Sequence, residues 1–421
     1  MPLPRFIEIV PLATPVEAQL TIPGSKSITN RGLVLAAMAN GETVLRGALW
    51  SDDTQVMVDC LNRFGLSVNV ASDPREPCNR ILTVRGLGGR LPDLSADGRP
   101  LELFVGNAGT TARFLAALVC LGRGEWRLHG VPRMHERPQA ALFAALRQLG
   151  YRIDSPNDAL PAVIHGAGPR AGRCQVSIAK SSQFASALLL CAAAGGWQVE
   201  VLGENAEESS YVEMTRKLVQ AFPHNGGAFL IEPDASSGSY FCAANWLLGP
   251  GSRIVVDWPD TPWQVDARFS GFWPLPPEIS REGQLGDSIM TAIVLAPFAE
   301  RPTRFTALGR LRLQECERVA ALRTELTRCG ASVLEQGDTL VVQPSRLHGA
   351  AIETYDDHRM AMCFAILGLK VPGIKINNPA CVKKTFPNFF QKLAGAPPAG
   401  LGAIILGPDG QRLAPESLFA E

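Results

Sequence analysis

SSQFASALLLCAAAGGWQVEVLG (Ser181–Gly203) holds the pattern that decides the fold. Two serines open it, an Ala/Leu-rich stretch of helical length follows, a glycine pair breaks the helix, and WQVEVLG reads as a short strand. The segment Phe184–Trp197 is the most apolar in the chain, yet it is too short to cross a bilayer and rich in Ala and Ser, so a buried helix is expected. The same order of small or polar residue, Ala/Leu-rich helix, glycine turn and short strand starts near Ser27, Thr110, Ser182, Ser236, Asp287 and Asp357. ETVLRG (Glu42–Gly47) is another of the strands. A second helix often follows, as in DTQVMVDCLNRFG, PQAALFAALRQLG, YVEMTRKLVQAF and CERVAALRTELTRCG, with apolar residues at i, i+3, i+4 and i+7. Starts spaced by about 50 to 80 residues suit a repeated α/β unit better than a sheet with one dinucleotide fingerprint. Each start is expected to cap its helix with Ser, Thr or Asp and to leave backbone N–H groups free for an anion.

The 421 residues exceed what one core usually supports, so two domains are expected. With 40 basic and 40 acidic side chains the net charge is zero, which excludes the large basic excess that nucleic acid or a membrane surface requires. Any anion site must therefore be a local concentration of charge. The ten cysteines are scattered, none at zinc-ligand spacing, so they are expected to be reduced and mostly buried; no metal or organic cofactor is expected. MPLPRFIEIV lacks the apolar run of a secretion signal, and the expected compartment is the cytoplasm.

Basic residues recur beside Gly, Ser and Asp at the helix starts. PGSKSITNR (Pro23–Arg31) carries Lys26 and Arg31, GNAGTTAR (Gly106–Arg113) offers glycines where a ligand can approach the backbone, and GVPRMHERP carries Arg133. Neither glycine segment has the spacing of a Walker motif, which disfavours a P-loop kinase. Downstream lie KSSQFASALLL, GDSIMTAIV with Asp287, LRLQECERVAALR with Glu315 and Arg318, DDHRMAMCF with His358 and Arg359, and VKKTFPNFF with Lys384.

Taken in order from Pro23 to Phe390, these motifs, with DASSGSYF and TYDDHRMAM, resemble the 5-enolpyruvylshikimate-3-phosphate (EPSP) synthase family. The resemblance implies an α/β fold of two domains, each a threefold βαβαββ repeat, with the ligand cleft between them. Residues 1–23 and 235–421 would form the upper domain, 24–234 the lower one, and 395–421 a tail of unassigned role. It implies transfer of the enolpyruvyl group of phosphoenolpyruvate to the 5-hydroxyl of a shikimate-type acceptor, by a usually monomeric enzyme. Matched position by position, the phosphoenolpyruvate ligands would be Lys26, Gly109, Arg133, Gln183, Arg318, Arg359 and Lys384. Asp287 would take the hydroxyl proton, Glu315 would deliver a proton to carbon, and Lys26 stands with them as a catalytic group. Ser27, Arg31, Ser181, Ser182, Gln183 and Asp287 would hold the acceptor, while His358 is expected to be structural.

Two departures fall on the subsite for the acceptor's 3-phosphate. The family lysine before the acid is Gln314 here, and Glu208 stands where a serine is usual. One unit-charge contact at 4 Å in an effective dielectric near 20 is worth roughly 4 kcal/mol, so a lost cation and a gained anion predict an acceptor without that phosphate. The expected reaction is therefore enolpyruvyl transfer to shikimate or a close unphosphorylated analogue in specialised metabolism. The alternatives are the housekeeping synthase acting on shikimate 3-phosphate, a UDP-N-acetylglucosamine enolpyruvyl transferase, and a catalytically silent binding paralogue. GSKS and DHRM favour the shikimate branch over the second, and the retained acid, base and cations oppose the third.

Overall fold

The computed structural model describes residues 2–93, 99–203 and 206–421, the side chains of 206–208 excepted. Two compact units emerge, Gly24–Glu232 and the combination of Met1–Pro23 with Pro233–Glu421. The second passage between them lies at Glu232/Pro233, two residues before the boundary expected from the sequence.

The unit Gly24–Glu232 contains three sheets among the described residues. One orders Gly227–Leu230, Glu42–Leu49, Asn79–Arg85 and Val68–Ser72, with the first pair parallel and the other two antiparallel. The sheet of Leu101–Phe104, Arg123–His129, Ala162–Ala167 and Arg152–Asp154 repeats that sequence of pairings. The third is the parallel pair Gly172–Ser177 and Trp197–Leu202. Helices Lys26–Met38, Gly109–Leu118 and Ser182–Gly195 pack on one another and bury almost their whole length, as their Ala/Leu content requires. The glycine pair ends the third of them: Gly196 takes φ 68°, a left-handed conformation a side chain would resist.

The other unit repeats the plan. Its sheets are Glu278–Ser280, Thr303–Thr306, Thr339–Val342 and Val333–Gln336; Arg253–Val256 with Glu17–Leu20; and Ala351–Ile352, Ile374–Asn377, Phe6–Ile9 and Ile405–Leu406. Both four-stranded sheets keep the parallel, antiparallel, antiparallel order. Helices Ala235–Leu248, Ile289–Leu295 and His358–Gly368 form the buried trio. Three sheets and three buried helices per unit give the threefold repeat its physical form. The amphipathic helices Asp52–Arg63, Ala140–Gln148, Ala206–Ala221 and Arg318–Arg328 coincide with the four segments read as such.

The capping expectation holds only in part. Ser181, Asp234 and Asp357 accept from the first turns of their helices. Ser25, Ala108 and Ser288 occupy the other three cap positions without a side-chain bond to their own helices, and Asp287 is no cap because its carboxylate turns to guanidinium groups. The C-terminal segment packs into its unit: Ile405–Leu406 pairs with Phe6–Ile9, the GPDG turn folds back so that Leu406 bridges Arg412, and Leu418 and Ala420 are buried. All ten cysteines are free thiols. No helix among the described residues is long and apolar enough to cross a membrane.

Candidate active site

In the unit containing Pro233–Glu421, six of the expected residues meet. Asp287 sits in the turn entering helix Ile289–Leu295, and a buried carboxylate fixes that turn. Asp266 accepts the N–H groups of Gly286 (2.7 Å) and Ser288 (3.2 Å), the Ser288 hydroxyl (2.5 Å) and the Ser236 hydroxyl. The Asp287 side chain, 16% exposed, faces Arg359 Nη2 at 3.1 Å through Oδ2. Its Oδ1 faces Arg318 Nη1 and Arg281 Nη2, each at 3.6 Å, and the Gln314 amide at 3.4 Å. Burial works against its ionisation, as does Glu315, but Arg359, Arg318 and Arg281 prevail and hold this carboxyl well below the usual range.

Glu315 lies between two cations, 2.9 Å from Arg318 Nη2 and 3.1 Å from Lys384 Nζ. Arg318, 1% exposed, is anchored by the helix cap Asp357, which accepts from its Nε at 2.7 Å and its Nη2 at 3.2 Å. Asp357 also accepts from the Arg359 backbone N–H (2.9 Å), and the Arg359 guanidinium donates to the Tyr240 hydroxyl (3.3 Å). One carboxylate thus sets the starts of two helices so that both guanidinium groups reach Asp287. Ahead of Glu315, Arg312 gathers Glu317, Glu335, Asp338 and the Gly337 carbonyl, and this fixes the turn that presents Gln314 and Glu315. His358 is buried at 1% exposure, its Nδ1 3.8 Å from Asp357.

In the unit Gly24–Glu232, the N-terminal turns of the three buried helices are cross-linked. Asn30 donates to the Thr110 hydroxyl (3.1 Å), and Arg113 Nη1 donates to the Gln183 side-chain oxygen (2.7 Å). That second bond turns the Gln183 amide nitrogen away from Arg113. Lys26 pairs with Asp53 at 2.9 Å, and Arg137 holds the Asn107 carbonyl (2.9 Å) beside Gly109. A Cβ on Gly109 would lie 2.4 Å from Arg113 Nη1 and 2.7 Å from Arg137 Nη2, so only glycine leaves both guanidinium groups in place. Ser181 and Ser182 begin the helix that carries Gln183 and are buried.

Two further expected residues have partners of their own. Arg133 is 44% exposed and pairs with Glu136 at 2.6 Å. Arg31 is buried, donating to Thr215 (2.8 Å), Ser186 (3.0 Å) and the Ser27 carbonyl (2.9 Å), which occupy three of its five N–H donors. Burial pushes its guanidinium down to about 10. The Glu208 side chain lies outside the described residues.

The chain matches the family model for EPSP synthase (3-phosphoshikimate 1-carboxyvinyltransferase) over residues 12–270 and 283–393. It belongs to the EPSP synthase family. It is similar to the 3-phosphoshikimate 1-carboxyvinyltransferases of Trichormus variabilis, 36% identical over 92% of this chain and 98% of the relative, and of Ralstonia pickettii, 38% identical over 93% and 99%. The EPSP synthase of Acinetobacter baumannii shares the fold with a TM-score of 0.73 at 21% identity, covering 95% of this chain and 99% of that one. The enolpyruvyl transferase NikO from Streptomyces tendae shares it at 0.68 and 16% identity, over 98% and 100%. As a member of the EPSP synthase family the chain is a transferase of the enolpyruvyl group of phosphoenolpyruvate.

Sequence reasoning passed over Asp266, Arg281, Asp357 as a ligand-shaping carboxylate, and the Arg113–Gln183 link. Arg113 and Asp357 fall inside motifs already quoted, so their signal was present. Asp266 and Arg281 belong to no motif; only the fold brings Asp266 to the neighbours Gly286 and Ser288, and Arg281 to Asp287 itself.

Proposed function

We propose that this enzyme transfers the enolpyruvyl group of phosphoenolpyruvate to the 5-hydroxyl of shikimate 3-phosphate. The observation that carries the reading is the linked array Asp287, Arg318, Arg359, Glu315 and Lys384, a carboxylate pair woven through three cations. Support for the phosphorylated acceptor comes from relatives named 3-phosphoshikimate 1-carboxyvinyltransferase at 36–38% identity over more than nine-tenths of this chain. They favour it over the unphosphorylated acceptor expected from the sequence.

The chemistry follows from the charges. Arg318, Arg359 and Lys384 supply the positive charge that binds the phosphate and carboxylate of phosphoenolpyruvate. Asp287, kept ionised, removes the proton of the 5-hydroxyl as its oxygen bonds to C2. Glu315 in its protonated form gives its own proton to C3, so the methylene becomes a methyl group. In the second half the C2–O bond to phosphate breaks, the methyl group returns its proton to Glu315, and the proton on Asp287 leaves with the phosphate. Glu315 is suited to both roles because its partners are the cations the substrate claims.

One observation favours a second acceptor. Gln314 replaces a lysine and turns its amide toward Asp287, so this position brings no positive charge to a 3-phosphate. Steady-state assays with both acceptors separate the readings. The proposal expects kcat/KM for shikimate 3-phosphate to exceed that for shikimate by about 100-fold or more, the value of one charged contact. Efficient turnover of shikimate with none of the phosphorylated acceptor would assign the enzyme to the second reading.

A further inference from the structure

Three guanidinium groups face Asp287, yet only two of them, Arg318 and Arg359, have a place in phosphoenolpyruvate binding. Arg281 is the third. It follows strand Glu278–Ser280, its backbone N–H donates to the Thr306 carbonyl at 3.1 Å, and its side chain is 1% exposed with Nη2 3.6 Å from Asp287 Oδ1. The same oxygen meets the neutral Gln314 amide at 3.4 Å.

The charged groups facing Asp287 come from four elements. Arg359 belongs to helix His358–Gly368, Arg318 to helix Arg318–Arg328, Glu315 to the segment before that helix, and Arg281 to the end of its strand. With the ligand absent, three cations outweigh one like-charged neighbour. An incoming phosphate and carboxylate change this balance, because the anions compete with Asp287 for Arg318 and Arg359. A base whose counter-ions all leave on substrate binding would lose both its orientation and its preference for the ionised form.

We propose that Arg281 is the positioning residue that keeps Asp287 anchored as the base once phosphoenolpyruvate has drawn Arg318 and Arg359 to its own anionic groups. This rests on the assignment of Asp287 as the base. The consequence is specific to the substrate complex. In the free enzyme Arg281 is one of three cations on Asp287, whereas in the complex it is the one that stays.

The test uses the full chain with Arg281→Gln, Arg281→Lys and Asp287→Asn, and measures kcat and kcat/KM against pH with phosphoenolpyruvate and shikimate 3-phosphate, or shikimate if that is the acceptor turned over. The acid limb of kcat reports groups in the substrate complex, and that of kcat/KM reports the free enzyme. Arg281→Gln is expected to move the acid limb of kcat upward by about 1–3 units and that of kcat/KM by less, with the KM for phosphoenolpyruvate changed by less than about threefold. Arg281→Lys, which keeps the charge but loses the fork, is expected to shift the same limb by a smaller amount. A merely structural role would lower the rate without moving the limb, and an unmoved limb in Arg281→Gln overturns the proposal. If that variant does not fold, Arg281→Lys decides by the same criterion. Asp287→Asn separates the two levels of the account: wild-type turnover in that variant removes the base assignment and this proposal with it, whereas an inactive Asp287→Asn with an unmoved limb in the Arg281 variants removes Arg281 alone.

Discussion

At the scale of single residues the site is a competition between carboxylates and ligand anions for the same guanidinium groups. Asp287 is the plainest case, since its proton affinity is set by Arg359, Arg318 and Arg281 against burial. Asp287→Asn is expected to lower kcat by about 100-fold or more, the usual worth of a positioned base, in a steady-state assay. The same substitution has a pH signature in stability. A carboxyl depressed in the folded state contributes stability that is complete above about pH 4, its unfolded value, and is lost as pH falls toward the folded value. The deficit in thermal midpoint of Asp287→Asn is therefore expected to be largest near neutrality and to shrink below pH 4. Gly109 poses a steric question of similar size. The atoms that a Cβ would meet are the ends of two flexible arginines, so Gly109→Ala is expected to fold with a midpoint near wild type while Arg113 shifts and loosens its hold on Gln183. An increase in the KM for phosphoenolpyruvate of about tenfold, the loss of one modest hydrogen bond, is the expected reading.

Elements matter here because each carries its catalytic group at an end. The helices starting at His358 and Arg318 share the Asp357 carboxylate, and the turn Gly286–Ser288 hangs on Asp266. Removing that clamp leaves two amides and two hydroxyls without an acceptor in a buried place. Asp266→Ala is expected to cost about 2–5 kcal/mol in a denaturant titration and to lower kcat more than it raises the KM for phosphoenolpyruvate. This is also the scale at which the sequence was partly legible. Helix starts showed as a small residue before an Ala/Leu run, because burial on all sides demands that composition. The cap was legible at Asp357; at Ser182 and Ser236 the bonding cap falls one and two residues earlier, at Ser181 and Asp234, at Ser27 and Thr110 the cap positions are Ser25 and Ala108 without a side-chain bond, and at Asp287 the carboxylate has a stronger partner than a backbone amide. Asp266 and Arg281 were invisible for a different reason. Asp266 holds Gly286, 20 residues on, and Arg281 faces Asp287, six residues on, both through the fold, and no periodicity encodes which way a turn aims a side chain.

For the molecule as a whole, the six starts read from the sequence correspond to six buried helices divided between two units with matching sheet patterns. The acceptor was the part least legible. Gln314 was read as a missing cation, but the charge of one position does not fix a ligand, and the relatives at 36–38% identity carry the name of a synthase for the phosphorylated acceptor. The C-terminal segment belongs to this scale as well, since it adds an edge strand and buries Leu401, Ala403, Ile405 and Leu418. Deleting residues 401–421 is expected to destabilise its unit by several kcal/mol, about 1.5–3 kcal/mol for each large side chain exposed, and to lower the thermal midpoint or the soluble yield.

The central claim is that this array of cations and paired carboxylates moves an enolpyruvyl group. Following phosphoenolpyruvate, shikimate 3-phosphate and products together by ³¹P and ¹H nuclear magnetic resonance tests it most directly. The account predicts that each molecule of phosphoenolpyruvate consumed yields one inorganic phosphate and one enolpyruvyl ether on the acceptor, and that none is consumed when the acceptor is left out. Phosphate released without the ether, or no consumption with either the phosphorylated or the unphosphorylated acceptor present, would contradict it.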